Sequence, residues 1–170
     1  LTVRHDGFVA MGGDGQVTLG SSIMKADATK IRRLMEDQVL CGFAGSSADS
    51  FALLERFEGK LKDFPANIPR AAIELAKEWR TDRIRRRMEA LMIAADADSS
   101  YLISGNGDLI MPDDGVLAIG SGGNIALASA KSLIQHSKLS AVEIVSESLK
   151  IASEICVYTN NQIEIEELAK

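Results

Sequence analysis

The chain has little of what several function classes require. Its 170 residues include only two cysteines, Cys41 and Cys156, far apart in sequence. They fit neither a disulfide scaffold nor a zinc cluster, and a reducing cytoplasm is the expected compartment. There are only two histidines, His5 and His136, each in a polar stretch. Both read as surface residues rather than triad members or metal ligands. No apolar run approaches the roughly 20 residues that span a bilayer, and residues 1–6 lack the apolar core of a signal peptide. A start without Met is expected to reflect processing or trimming. The net charge of −5 supplies no basic face for nucleic acid. Proline is scarce, repeats are absent, and no Ser- or Pro-rich linker divides the chain.

What remains is ordinary globular composition, 46% hydrophobic and 25% charged, enough for one domain over residues 1–170. Phe8–Met11 reads as a strand ending in a turn at Gly12-Gly13-Asp14-Gly15. Val17, Leu19 and Ile23 continue with β-type residues, and residues 38–44 form a buried strand around Gly42. Phe51, Leu54, Phe57 and Leu61 then recur at helical spacing after Ser47 and Asp49, which can cap. A second helix carries Ala72, Leu75, Ala76 and Trp79, with Ile84 and Met88 extending its face. Strands return at 91–94, 101–103, 109–111 and 116–119, with a turn at Gly105-Asn106-Gly107. A third helix follows with Ile125, Ala128 and Leu133. The fourth opens on a Ser140…Glu143 capping box and buries Val142, Val145, Leu149 and Ala152. Closing strands are expected at 155–157 and 163–165. Strands and helices come in blocks, which predicts an α+β fold with antiparallel sheets and helices on the outer faces. Four layers, αββα, would accommodate both helix pairs.

Several chemistries drop out. Gly120-Ser121-Gly122-Gly123 has no following Gly-Lys-Ser/Thr, so it is not a P-loop, and no Gly-x-Ser-x-Gly elbow is present. Cys156, between Ile155 and Val157, reads as an inert buried thiol. Three features stay open. Gly12–Gly15 is either a plain turn or part of a site. Lys30 is either solvated or functional. Ser121 sits in a tight strand-to-helix connection whose free amides could also hold an oxyanion.

Taken together, these segments resemble a known family. Gly13-Asp14-Gly15-Gln16-Val17-Thr18-Leu19-Gly20, Lys30, Gly42-Phe43-Ala44-Gly45, Glu78-Trp79-Arg80-Thr81-Asp82, Ser104-Gly105-Asn106-Gly107-Asp108, Ala118-Ile119-Gly120-Ser121-Gly122-Gly123 and Ile155-Cys156-Val157-Tyr158-Thr159-Asn160 are similar to the bacterial HslV peptidases. These are proteasome-related proteases that work with the HslU ATPase. The resemblance runs from Val3 to Leu168. It implies an N-terminal-nucleophile hydrolase fold and a threonine that uses its own α-amine as base. It implies that Lys30 keeps the site electropositive, Asp14 orients Lys30, the Gly42 amide meets the oxyanion and Ser121 bonds the nucleophile's amine. In the family the nucleophile stands about sixteen residues before the aspartate, whereas Thr2 stands only twelve before Asp14. Thr2 is therefore placed inside the first strand without a catalytic role, and the threonine is expected three residues upstream of Leu1.

The resemblance further implies a monovalent cation, sodium, on carbonyls of Ser153, Cys156 and Thr159. It implies a homododecamer of two stacked six-membered rings, HslU hexamers as partners and unfolded proteins as substrates. No nucleotide, nucleic acid or membrane is expected on this chain. The basic run Arg80, Arg83, Arg85, Arg86 and Arg87 reads as a solvated face or an oligomer contact. Two other readings compete: a ring subunit without a nucleophile, and an N-terminal-nucleophile hydrolase acting on small amides.

Overall fold

The computed structural model describes residues 1–65, 67–81 and 89–169. Strands β1 (Thr2–His5), β2 (Phe8–Asp14), β10 (Val116–Leu117) and β11 (Ile163–Ala169) form one antiparallel sheet in the order β10-β1-β2-β11. Strands β5 (Ile31–Leu34), β6 (Val39–Gly45), β7 (Ala90–Ala95), β8 (Ser100–Ser104) and β9 (Leu109–Ile110) form the second, in sequence order. β3 (Val17–Leu19) and β4 (Ser22–Lys25) make a separate hairpin. Helices α1 (Ser47–Asp63) and α2 (Ile68–Thr81) cover one sheet; α3 (Gly123–His136) and α4 (Ala141–Ile155) cover the other.

The period of two along the strands builds the layers. Cys41, Met92 and Ala94 face α1 and α2 with Leu53, Phe57 and Leu75. Leu40, Ile93 and Ala95 point the other way and meet Val9, Met11 and Leu117 of the facing sheet. Val3 and Ala10 turn outward to Ile144 and Val145 of α4. Three apolar interfaces thus separate four layers, the expected αββα sandwich. Among the described residues no helix is long and apolar enough to cross a membrane.

Several local expectations change. Gly12, Gly13 and Asp14 are not a turn: they continue β2 and pair with Ile165, Glu164 and Ile163. Gly12 is glycine because α4 crosses it closely; a Cβ there would lie 2.3 Å from Val145 Cγ1. β5 is an additional strand, with Arg32 and Arg33 between apolar ends. The cap of α1 is Ser46, whose hydroxyl accepts from the Asp49 amide. The buried face of α1 is Ser50, Leu53, Phe57 and Leu61, and Phe51 is 62% exposed. In α3 the buried positions are Gly123, Ala126 and Ala130 rather than Ala128. Residues 155–157 are no strand: Ile155 ends α4, Cys156 caps it half-buried, and Val157 is exposed. The Ser140–Glu143 capping box is present as expected. Ile84, Met88 and the basic run from Arg83 lie outside the described residues, as do the side chains of Trp79 and Arg80.

Candidate active site

A cleft of about 840 Å³ opens where the ends of β1, β2 and β6 meet the start of α3. Asp14, Lys30, Gly42 and Ser121 all line it, together with Leu1. At its floor Lys30 Nζ donates to Asp14 Oδ1 at 2.8 Å. The second oxygen, Oδ2, accepts from the Gln16 amide at 2.9 Å and the Asn160 amide at 3.3 Å. Both carboxylate oxygens are therefore occupied, and the ammonium sits on a fixed counter-charge. The pair is 27% and 15% exposed, so its attraction is screened far less than on an open surface.

Asn160 is the residue that spacing did not single out. Its Oδ1 accepts from the Gly15 and Gln162 amides at 3.3 and 3.1 Å, and its Nδ2 donates to the Ala26 carbonyl at 2.9 Å. It ties the end of β2 to the segments before Lys30 and before β11. Gln16 does similar work, donating from Nε2 to Thr18 Oγ1 and to the Val157 carbonyl, each at 3.0 Å. The only signal for Asn160 in the sequence is its place at the end of the 155–160 motif.

Gly42 lies in mid-strand, paired with Ile31 on one side and Ile93 on the other. The next amide, Phe43, donates to the Lys30 carbonyl at 3.1 Å. Strand alternation therefore turns the Gly42 N–H toward β7, into the ladder. Its missing side chain has a packing cause: a Cβ would lie 2.9 Å from Met11 Sδ of the facing sheet. Gly45 differs. It lies two residues beyond Phe43, so its N–H points to the β5 side, but β5 begins only at Ile31, opposite Gly42. The Ala28 amide that precedes β5 turns away to the Gly15 carbonyl. Ala90, opposite Gly45, gives its carbonyl to the Gly105 amide. With φ of +107° and a virtual Cβ 2.3 Å from the Glu89 carbonyl oxygen, this position requires glycine.

Ser121 is exposed on the opposite lip, just before α3, whose N-terminus has no side-chain cap. Thr2 is fully buried in β1, paired with Met11 and Leu117, as its placement in the first strand predicts. Leu1 is buried as well, and its nitrogen donates to the Gly12 carbonyl at 3.0 Å. Burial pushes an amine at this position down to about 6; Asp14 pulls upward against it and Lys30 adds to the depression.

Of the expected cation ligands, Thr159 lines the cleft and Ser153 and Cys156 do not. All three lie at or beyond the C-terminal turn of α4. The extended Cys156 backbone stops the helix there, so the last carbonyls lose their i+4 donors. The Thr159 amide returns to the Cys156 carbonyl at 3.3 Å. Carbonyl oxygens at a helix C-terminus suit a hard monovalent cation.

Comparison with known proteins agrees with this fold. A family model described as proteasome subunit matches residues 1–168. The crystal structure of eukaryotic HslV from Trypanosoma brucei is 44% identical, with a TM-score of 0.93, covering 99% of this chain and 98% of that one. Thiobacillus denitrificans BPH, solved alone and in complex with epoxomicin, superposes with a TM-score of 0.74 in both cases. At 17% and 16% identity over 99% of this chain and 96% of that one, it shares the fold.

Proposed function

The chain belongs to the proteasome subunit family as an HslV-type peptidase, and from that footing we propose that it is the proteolytic subunit of an ATP-dependent protease. The nucleophile is a threonine three residues upstream of Leu1, and the substrates are unfolded polypeptides delivered by an HslU-type ATPase in the cytoplasm. Two stacked hexameric rings enclose the sites and keep folded proteins out. ATP is hydrolysed by the partner.

One observation carries this reading. Leu1 and Gly12 exchange both ladder bonds, at 2.8 and 3.0 Å, in register with Thr2 opposite Met11. Continued upstream in the same register, the ladder would set the next three residues opposite Gly13, Asp14 and Gly15, on the side of the cleft that holds Lys30. The threonine hydroxyl then attacks the scissile carbonyl, and the α-amine of the same residue accepts its proton and passes it to the leaving amine. The resulting ester is hydrolysed by water. Lys30, held by Asp14, favours the neutral amine that must act as base. The donor for the oxyanion moves from Gly42, whose amide turns into the ladder, to Gly45, whose amide faces the cleft. Ser121 hydrogen-bonds the amine from the opposite lip. The carbonyls of Ser153, Cys156 and Thr159 would hold a sodium ion, whose charge steadies the helix end and the loop that carries Asn160.

Lys30→Ala in the full-length protein tests the assignment. Peptidase kcat/KM is expected to fall at least about 100-fold, the usual scale for a group that tunes a catalytic base. Near-normal hydrolysis would remove Lys30 from the site.

A further inference from the structure

Glycine has no side chain to shield its amide nitrogen, so an aspartate or asparagine that precedes it is open to attack by its own chain. The sequence holds Asp6-Gly7, Asp14-Gly15, Asp114-Gly115 and Asn106-Gly107. The fold restrains three of them. Asp14 is held by Lys30 and by the Gln16 and Asn160 amides, and the Gly15 amide donates to Asn160 Oδ1 at 3.3 Å. Asp114 Oδ2 pairs with Lys131 Nζ at 2.7 Å, and its Oδ1 accepts from the Val116 amide at 3.2 Å. The Lys131 bond also holds its carboxyl below the usual range, in the ionised form that such an attack cannot use. The Gly107 amide donates to the Ser104 carbonyl at 3.0 Å.

Asp6-Gly7 differs. It is the two-residue turn of the β1–β2 hairpin, between the paired residues His5 and Phe8. Both turn residues have positive φ, +49° and +83°, as this kind of hairpin requires. The Asp6 side chain is 84% exposed, and its ion-pair neighbour among the described residues is His5 Nε2, 3.4 Å from Oδ2. Among the described residues no hydrogen bond ends on the Gly7 amide. Nothing lies within 4 Å of where a Cβ would stand at Gly7. The electrophile, the nucleophile and a proton donor therefore meet at one open turn.

We propose that Asp6 is a site of spontaneous modification, at which this turn converts to isoaspartate. The Gly7 nitrogen attacks Cγ of the protonated Asp6 carboxyl. The N–Cγ bond forms, the Cγ–hydroxyl bond breaks, and the hydroxyl leaves with the amide proton as water. An imidazolium at His5 supplies the proton that the carboxyl needs. The cyclic imide then takes water back at either carbonyl. Opening at Cγ restores aspartate; opening at the main-chain carbonyl leaves the chain running through Cγ, with a free α-carboxylate. That product is the substrate chemistry of a carboxyl methyltransferase that recognises isoaspartate. The turn gains one backbone carbon, which a two-residue hairpin loop does not accommodate. The ladder between β1 and β2 loosens at its far end, and β1 leads directly to Leu1 at the cleft.

Incubating the purified full-length protein for weeks near neutral pH, folded and in guanidinium chloride, tests it without reference to peptidase activity. After digestion, isoaspartate is read by methyl transfer from S-adenosylmethionine with an isoaspartate methyltransferase, and mass spectrometry places each label. In the folded protein the label at residue 6 is expected to exceed that at 14 or 114 by at least about tenfold, the scale of the hydrogen bonds that must break first at those two. In guanidinium chloride the three aspartates should converge, since the fold is what separates them. Asp6→Glu, which would need a larger ring, should lose the label at this position. No label at residue 6, a label at 14 or 114 equal to it in the folded protein, or a preference for residue 6 undiminished by denaturant would overturn the proposal.

Discussion

Replacing Asp14 by Asn removes one charge with almost no change in shape, so it isolates what the carboxylate does. Asp14 accepts three hydrogen bonds, from Lys30 Nζ, the Gln16 amide and the Asn160 amide. An Asn side chain has one oxygen. If that oxygen faces the two amides, its NH₂ group confronts the ammonium; if it faces Lys30, the NH₂ confronts two N–H donors. Either orientation loses at least one partner and sets donor against donor. Breaking a fully buried pair costs about 3–5 kcal/mol, while open-surface pairs are worth under about 1 kcal/mol. With exposures of 15% and 27%, the expected loss lies between, about 2–3 kcal/mol. Urea denaturation at pH 7 measures it. Peptidase kcat/KM should fall at least about 100-fold, because an unanchored lysine no longer holds its position. A loss below about 0.5 kcal/mol together with activity near that of the parent would refute the role given to the pair.

Four further outcomes are expected. Asn160→Ala removes side-chain bonds to Gly15, Gln162 and Ala26 and should lower stability by about 1–2 kcal/mol. Activity should fall more than in a surface variant of equal stability, as steady-state kinetics will show. Gly12→Ala places a methyl group 2.3 Å from Val145 and 2.7 Å from Leu149 and should cost about 1–3 kcal/mol. Gly59→Ala, on α1 with nothing within 4 Å, should gain about 0.5–1 kcal/mol; thermal melts of the two variants should move in opposite directions. A form that begins at Leu1 carries an amine whose pKa is about 6 folded against 8.0 unfolded. Across that window the unfolded chain binds more protons, so stability rises with pH, and below pH 6 the penalty is about 2–3 kcal/mol. A form extended upstream has an amide there; the difference between the two forms in urea melts at pH 5.5 and 8.5 isolates this group.

The helices were legible where one local rule sufficed. The Ser140–Glu143 box and the spacing of Val145, Leu149 and Ala152 fix α4 without reference to the rest of the fold. Glycine misled where its cause was tertiary. Gly12 and Gly13 carry the signature of a turn, yet the reason for Gly12 is α4 pressing on the strand. Phe51 has core spacing and apolar character but faces the cleft, because the neighbouring positions Ser50 and Leu53 set the buried stripe. β5 hid behind two arginines, and Arg33 is accommodated by the Glu166 carboxylate and the Glu167 carbonyl of the distant β11. The pairing of Asp14 with Lys30 has no periodicity to announce it. Resemblance brought the two residues together, and geometry then added Asn160 and showed the Gly42 amide turned into the ladder.

The proposed nucleophile is a threonine upstream of Leu1 that attacks the substrate beside Lys30. Labelling the full-length protein with an epoxyketone peptide, followed by digestion and mass spectrometry, addresses it directly. Such a reagent offers two electrophilic centres and needs a hydroxyl and a free amine on the same residue to be held by both. One adduct is expected, on the threonine three residues before Leu1, with peptidase activity lost in step with labelling. An adduct on Thr2, Ser121 or Cys156 instead, or peptide hydrolysis that persists with no adduct at all, would contradict it.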